Sequence, residues 1–298
     1  MKDKVTVLVN SCDKYESVWD PFFTFFQKNW EACPYKVYLN TELKSYQNDY
    51  VDIKVLNCTK KVSWSSRLKR ALKKLKSKYI IFLLEDFFLL EKVNQKELEY
   101  AISIMDEDSK ISVIDFEYVE RVNAHPTRFK GYEERDRNSM YLLNCQAAIW
   151  RRKDLIRFLS PYEDPWQFEI YGSNRAKLYN RKFLRKERET SSPFIYNVCR
   201  ENGYGLYGGK WLYSNKKLFQ DSGIQADFEI LGFTENKCVD FKCVAPRKTL
   251  KEKWMYCLYG GGIKSRMTIR EQISLLFKNP KTFIGVLKNK VRFFKKKF

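Results

Sequence analysis

Residues 79–90 read YIIFLLEDFFLL. Six consecutive apolar residues, Tyr79–Leu84, describe a strand buried on both faces, the kind found inside a sheet covered by helices. The run stops at two adjacent carboxylates, Glu85 and Asp86, and resumes with Phe87 and Phe88. Paired carboxylates at the rim of an apolar core repel each other and resist desolvation. A divalent cation relieves both, and Mg²⁺ or Mn²⁺ is usually held by one or two carboxylates with substrate phosphates and water. The position suits a ligand, because open α/β sheets bind ligands beyond the carboxyl ends of their strands. The same residues also allow a solvated strand-to-loop turn with Phe87 and Phe88 returning to the core.

The flanking chain alternates. Val5–Asn10 is a β-branched run, and Ser17–Trp30 carries Trp19, Phe22, Phe23, Phe26 and Trp30 at helical spacing, with Pro21 tolerable only in the first turn. Lys36–Leu39 and Ile53–Leu56 read as strands. Ser63–Lys76 is an amphipathic helix striped by Trp64, Leu68, Leu72 and Leu75, with Ser63 as N-cap. Gln95–Met105 reads as a helix and Ile111–Phe116 as a strand. This order predicts an α/β fold with a mixed, mostly parallel central sheet. Further on, Arg121–Asn138 is a loop or surface hairpin, Tyr141–Trp150 a strand, Lys153–Leu159 a short helix, and Pro161–Gly172 opens another helix near Trp166. Gly203–Gly209 is a glycine-rich aromatic turn that matches no phosphate-binding fingerprint. With Arg200 and Glu201 it is a candidate lid.

The ordered set SCDKY (11–15), WSSRLKRAL (64–72), YIIFLLEDFFL (79–89), CQAAIW (145–150) and DPWQFE (164–169) resembles bacterial GT-A-fold glycosyltransferases of capsule and exopolysaccharide biosynthesis. The resemblance runs over roughly Val5–Gly172. It implies a GT-A-like, Rossmann-like nucleotide-sugar transferase domain. Residues 1–245 would be catalytic, with a nucleotide-binding half at about 1–120 and an acceptor half at about 121–245. Asn10, Ser11, Cys12 and Asp13 would line the nucleotide pocket. Asp13 would accept a hydrogen bond from base or ribose, or else cap the next helix. Arg67 would meet a phosphate and Trp64 would flank it; alternatively Trp64 is core and Arg67 solvated. Glu85-Asp86-Phe87 stands where the family has Asp-x-Asp, so Asp86 is the leading metal or diphosphate ligand and Glu85 its partner. Mn²⁺ or Mg²⁺ is the implied cofactor and a UDP-sugar the implied donor.

Inverting transfer needs a carboxylate, separate from the metal ligands, to deprotonate the acceptor hydroxyl. DPWQFE supplies Glu169 first and Asp164 second, with Trp166 and Phe168 as an apolar acceptor wall. The alternative makes Asp164 an N-cap and Glu169 an ordinary helix residue. Gln146 is a candidate for sugar hydroxyls, and His125, the one histidine, reads as solvated.

The net charge of +20 calls for a polyanionic partner or surface. Lys and Arg dominate 67–78, 175–188 and everything after 242. Thr268–Phe298 reads as two basic amphipathic helices divided at Asn279-Pro280, so residues 246–298 are expected to associate with an anionic membrane surface; the alternative is a helical pair packed on the catalytic domain or mediating oligomerisation. The acceptor would then be a glycan or a polyprenyl-diphosphate-linked one. The N-terminus lacks the apolar run of a signal peptide, and eight scattered cysteines without a CxxC pair suit a reducing compartment. A cytoplasmic protein, peripheral on the inner membrane face, is expected. Nucleic-acid binding, a nucleotidyltransferase and a non-catalytic membrane scaffold are the rivals. No recognised nucleic-acid motif appears, SCDKYESVW is not the glycine-rich basic loop of nucleotidyltransferases, and a scaffold leaves LLEDFF and DPWQFE unexplained.

Overall fold

The structure is a computed structural model that describes residues 3–58, 60–117, 123–139, 141–161, 163–197 and 203–234. The expected helices of the 246–298 segment, Arg200 and Glu201 lie outside the described residues.

Strands β1 (Val5–Asn10), β2 (Lys36–Asn40), β3 (Ile53–Leu56), β4 (Tyr79–Leu84), β5 (Ile111–Asp115), β6 (Ala124–Pro126), β7 (Tyr132–Arg135), β8 (Ala148–Arg151) and β9 (Lys182–Lys186) form one nine-stranded sheet ordered β3-β2-β1-β4-β8-β5-β9-β7-β6. All but β8 and β7 run the same way, so the sheet is mixed and mostly parallel, as expected. A small second sheet, β10 (Leu206–Tyr207), β11 (Lys210–Leu212) and β12 (Phe233–Thr234), lies beyond it in the chain.

Alternation along the central strands divides the core in two. Val5, Val7 and Val9 of β1 and Ile81 and Leu83 of β4 pack with helices α1 (Trp19–Trp30) and α3 (Gln95–Glu107). Leu8, Ile80 and Phe82 face the other way, onto α2 (Trp64–Lys74) and α4 (Arg152–Phe158). Both faces of β1 and β4 are therefore buried, which is why they read as unbroken apolar runs rather than alternating ones. Helix ends follow the sequence: the Ser63 and Asn94 side chains cap α2 and α3 by accepting backbone N–H groups of Ser66 and Glu97.

Three expectations are corrected. The strand expected over Tyr141–Trp150 is shorter, Ala148–Arg151, and 141–147 is irregular. The buried Arg135 pins that stretch: it is paired with Asp115, and its guanidinium donates to the Leu142 carbonyl at 2.9 Å. Second, the basic run 175–188 is not a free polyanion surface. Arg175 pairs with Glu163, Arg181 with Asp154, Lys182 with Asp108, Arg185 with Glu133 and Lys186 with Glu97. The run contains β9, whose charges hid it among solvated sequence. Third, 121–138 holds the hairpin β6–β7, but it is not wholly a surface feature, since Tyr132 and Arg135 are buried; His125 on β6 is exposed.

Among the described residues no helix is long and apolar enough to cross a membrane.

Candidate active site

From β1 the chain goes one way, through β2 to β3, while β4 lies on the other side of β1. The strand order reverses there, and a crevice opens beyond the carboxyl ends of strands flanking such a switch point. The residues leaving β1 are Ser11, Cys12 and Asp13; those leaving β4 are Glu85 and Asp86.

Glu85 and Asp86 are the central pair of a tight turn closed by the Phe87 N–H donating to the Leu84 carbonyl at 3.2 Å. Phe87 and Phe88 do return to the core, 1% and 0% exposed, and they hold the turn rigidly. The carboxylates are themselves buried, at 6% and 9% exposure. Burial raises both above the ordinary carboxylate range, and for Glu85 the Asp86 charge adds to it. The completely buried Asn197 clamps the turn, donating to the Asp86 and Gly203 carbonyls at 3.0 Å each and accepting from the Phe88 N–H at 2.9 Å.

The β1 side is a hydrogen-bonded lattice. Ser11 accepts at Oγ from the Trp19 indole N–H (2.7 Å), donates its N–H to the Asn40 carbonyl (3.0 Å) and accepts at its carbonyl from Arg67 Nη2 (2.5 Å). Arg67 is buried, not solvated, and also pairs with Glu42 at 3.3 Å. Asn10 accepts from Asn40 Nδ2 at 2.6 Å. The Asp13 carboxylate does not cap the following helix. It accepts three backbone N–H groups, from Glu42 (2.8 Å), Leu43 (2.9 Å) and Lys44 (3.2 Å), and so shapes the loop after β2. Burial, and then the Glu85 charge, pushes the Cys12 thiol up to about 11, so it is a neutral group.

The glycine-rich turn is a hairpin, β10–β11, with Gly208 and Gly209 at φ of 60° and 82°. Two successive positive φ values make a two-residue turn of the type that matches strand twist, and glycine adopts them without strain. The hairpin lies on the acidic turn. Leu206 N–H donates to Asp86 Oδ2 at 3.1 Å, and a Cβ on Gly205 would sit 2.8 Å from Asp86 Cβ.

Glu169 comes from a separate unit, helix α5 (Pro165–Gln167), a wider turn over Phe168–Gly172 and helix α6 (Ser173–Ala176). Asp164 closes a capping box with Gln167, so its carboxylate is engaged as the N-cap. The unit is tied down by the buried Arg175–Glu163 pair (2.6 and 2.5 Å) and by reciprocal bonds between Ser65 and Glu163. Glu169 accepts the Cys145 N–H at 3.0 Å; burial, with Asp164 adding to it, lifts its carboxyl to about 7. Phe168 is not an acceptor wall: it is 2% exposed, 5.6 Å from the Trp64 ring and 6.4 Å from that of Trp150. Trp166 is 70% exposed. Trp64 is partly buried against Phe168 and belongs to the core edge.

Gln146 stands in the irregular stretch just before β8. Because β8 runs antiparallel, it enters the sheet at the edge where β4 and β5 leave, and this brings Gln146 to the site. Sequence reasoning missed Glu117 and Tyr196, and took in Tyr204 only as part of the candidate lid 203–209. Glu117 follows ISVIDF as Glu85 follows YIIFLL, and that signal was available. The tyrosines reach the site only through tertiary packing.

Among the described residues no group of three His, Cys, Asp or Glu side chains is placed to hold a metal. Glu85 and Asp86 are buried side by side with raised proton affinities, and a two-carboxylate donor set fits Mg²⁺ or Mn²⁺ completed by phosphate and water.

No protein-family model matches the chain, and no curated protein matches it in sequence. Among solved structures it is similar to residues 1–349 of S. aureus TarS, at 15% identity and TM-score 0.43, covering 64% of this chain and 59% of that one. The same fragment in complex with UDP-GlcNAc is similar at 17% identity and TM-score 0.39, covering 63% and 60%. The mannosyltransferase PcManGT from Pyrobaculum calidifontis, in complex with GDP-Man and Mn²⁺, is similar at 11% identity and TM-score 0.40, covering 59% and 52%. The chain thus spans 59% of the length of the TarS fragment.

Proposed function

We propose that the protein is a glycosyltransferase that moves a sugar from a nucleotide-sugar, with a UDP-sugar as first choice, to a glycan or lipid-linked glycan acceptor. The observation that carries this reading is the buried Glu85-Asp86 turn at the switch point between β1 and β4. Two carboxylates with raised proton affinity, fixed beside the loop that leaves β1, make a site for a metal–diphosphate head group. Asp86, with Glu85, would hold Mn²⁺ or Mg²⁺, which when bound stabilises negative charge on the leaving diphosphate.

The chain's own residues divide the remaining work. Arg67 and the Asp13-organised loop 42–44 shape the nucleotide side, with Asn10, Ser11 and Cys12 at its floor. Glu169 takes the acceptor hydroxyl's proton. Its carboxyl, held at about 7, is a stronger base than an ordinary carboxylate yet is substantially ionised at neutral pH. The exposed Trp166 ring, three residues before it in the chain, offers a face to an acceptor sugar. This assignment implies inversion at the anomeric carbon. Residues 1–245 form the catalytic unit in this reading, and residues 246–298 attach it to an anionic membrane surface on the cytoplasmic side.

The test is a panel of UDP-, GDP-, CDP- and dTDP-sugars, scored by thermal shift with and without Mn²⁺ and then by transfer to extracted glycolipid. Stabilisation by one nucleotide family, enhanced by Mn²⁺, is expected. Steep salt-dependent binding of RNA or DNA, with no stabilisation by any nucleotide-sugar, would sink the proposal.

A further inference from the structure

Beyond the acidic turn, four side chains that meet only in the folded chain form a second polar group. Glu117 stands just past β5. Its Oε2 accepts the Tyr196 hydroxyl at 3.0 Å, and Tyr196 is fixed by complete burial and by the Phe87 ring at 4.9 Å. Gln146, ahead of β8, donates from Nε2 to the Tyr204 hydroxyl at 3.1 Å. Its other polar atom, Oε1, is buried with no partner among the described residues. Whichever way the amide is turned, one polar atom pairs with Tyr204 and the other is left over. A buried amide oxygen without a partner is costly, and a ligand donor removes the cost.

Tyr204 links this group to the rest of the site. Burial first, then the Glu117 charge, holds its phenol protonated, and Glu169 and Asp86 act on it in the same sense. The backbone places these groups together: β5 and β8 are antiparallel and the Phe116 N–H donates to the Ala147 carbonyl at 3.0 Å, so Glu117 and Gln146 follow and precede a bonded pair; Tyr204 stands two residues before Leu206, which donates to Asp86, and Gln146 follows Cys145, which donates to Glu169. Their chemistry is a carboxylate, an amide and two phenols. Among the described residues the group includes no cationic side chain, and the Glu117 carboxylate repels a phosphate. A carboxylate and an amide oxygen side by side suit adjacent hydroxyl donors on a neutral ring.

We infer that Glu117 and Gln146, positioned by Tyr196 and Tyr204, form the subsite that recognises the hydroxyl groups of the donor sugar. The inference rests on the nucleotide-sugar reading above. It assigns the sugar to the space next to Asp86 and makes Glu117 a specificity-determining residue separate from the metal and the base.

The test uses the full-length protein, with UDP and GDP, their glucose, galactose, N-acetylglucosamine and mannose conjugates, and Mn²⁺, by calorimetry. Wild type binds one conjugate more tightly than the bare nucleoside diphosphate. Glu117→Gln and Gln146→Leu are each expected to weaken that conjugate about tenfold or more, the size of a lost charge-assisted or buried hydrogen bond. Binding of the bare diphosphate should stay within about twofold on the same scale. Melting curves verify the fold, and Tyr204→Phe, which keeps the ring, provides a third variant. Unchanged conjugate affinity in folded Glu117→Gln and Gln146→Leu overturns the subsite while leaving the nucleotide-sugar reading intact. Equal loss of conjugate and bare diphosphate also overturns it, because these residues would then serve the metal end. Wild type that binds no conjugate overturns the parent reading and the subsite with it.

Discussion

Asp86 and Leu206 lie 120 residues apart and are joined by a single hydrogen bond, the Leu206 N–H donating to Asp86 Oδ2 at 3.1 Å. The bond places a glycine-rich hairpin directly on the acidic turn and makes one carboxylate answer to two parts of the chain.

Gly205, the residue before Leu206, has no room for a side chain: a Cβ there would lie 2.7 Å from Phe88 Cε2 and 2.8 Å from the Asp86 carbonyl oxygen. Gly205→Val should therefore push the hairpin off the turn. We expect a loss of about 1–3 kcal/mol in stability, as for other overpacked sites, and a rise in KM for the nucleotide-sugar. Denaturant melts and steady-state kinetics check both.

Asp86→Asn keeps the shape of the turn and removes one of two repelling charges. The metal-free variant should be more stable than wild type at pH 8, and its thermal shift with Mn²⁺ should vanish. Transfer should fall by about two powers of ten or more, because several kcal/mol of charge stabilisation is lost. A variant that keeps the Mn²⁺ shift would move the metal elsewhere.

The pH–rate profile reports on Glu169. Its carboxyl is held at about 7, so it is protonated and inactive as a base below that value. Below pH 7, kcat/KM should fall about tenfold per pH unit. Glu169→Gln should remove that limb along with most of the activity.

Stability should run the opposite way. Burial raises Glu117 and Glu169 from an ordinary 4.5 to about 7, and Glu85 and Asp86 are also raised. Over that interval the folded state binds more protons than the unfolded state, so unfolding free energy falls as pH rises. Denaturant titrations of the metal-free protein between pH 5 and 8 should show the decline, and Glu117→Gln should flatten part of it.

Glu163 and Arg175 are 0% and 3% exposed and pair through two hydrogen bonds. Glu163→Ala strands a buried guanidinium and should cost about 3–5 kcal/mol. A milder second effect is expected on kcat, because the pair anchors the unit that carries Glu169. A double variant, Glu163→Leu with Arg175→Met, should recover much of the stability.

The sequence by itself determined the sheet's centre, the helices that cover it and the edge where the acidic turn stands. Val5–Asn10 and Tyr79–Leu84 are apolar without interruption because both faces are covered, and the carboxylates at 85 and 86 stand out against that background. Local pattern could not give the direction of β8 or the existence of β9. Three of the five residues in KFLRK are charged; Arg185 and Lys186 are buried only because Glu133 and Glu97 arrive from elsewhere in the chain, as Asp108 does for Lys182, and no pattern of spacing records that. Tertiary structure alone decided that Arg67 is buried against Ser11, that Phe168 belongs to the core, and that Gln146 reaches the site from an antiparallel strand. It also decided what meets the acidic turn. YIIFLLED predicts a pair of carboxylates at the end of a strand. That Asp86 is held by Leu206 and Asn197, with Glu117, Tyr204 and Glu169 beyond it, follows from long-range packing, which a one-dimensional pattern does not encode.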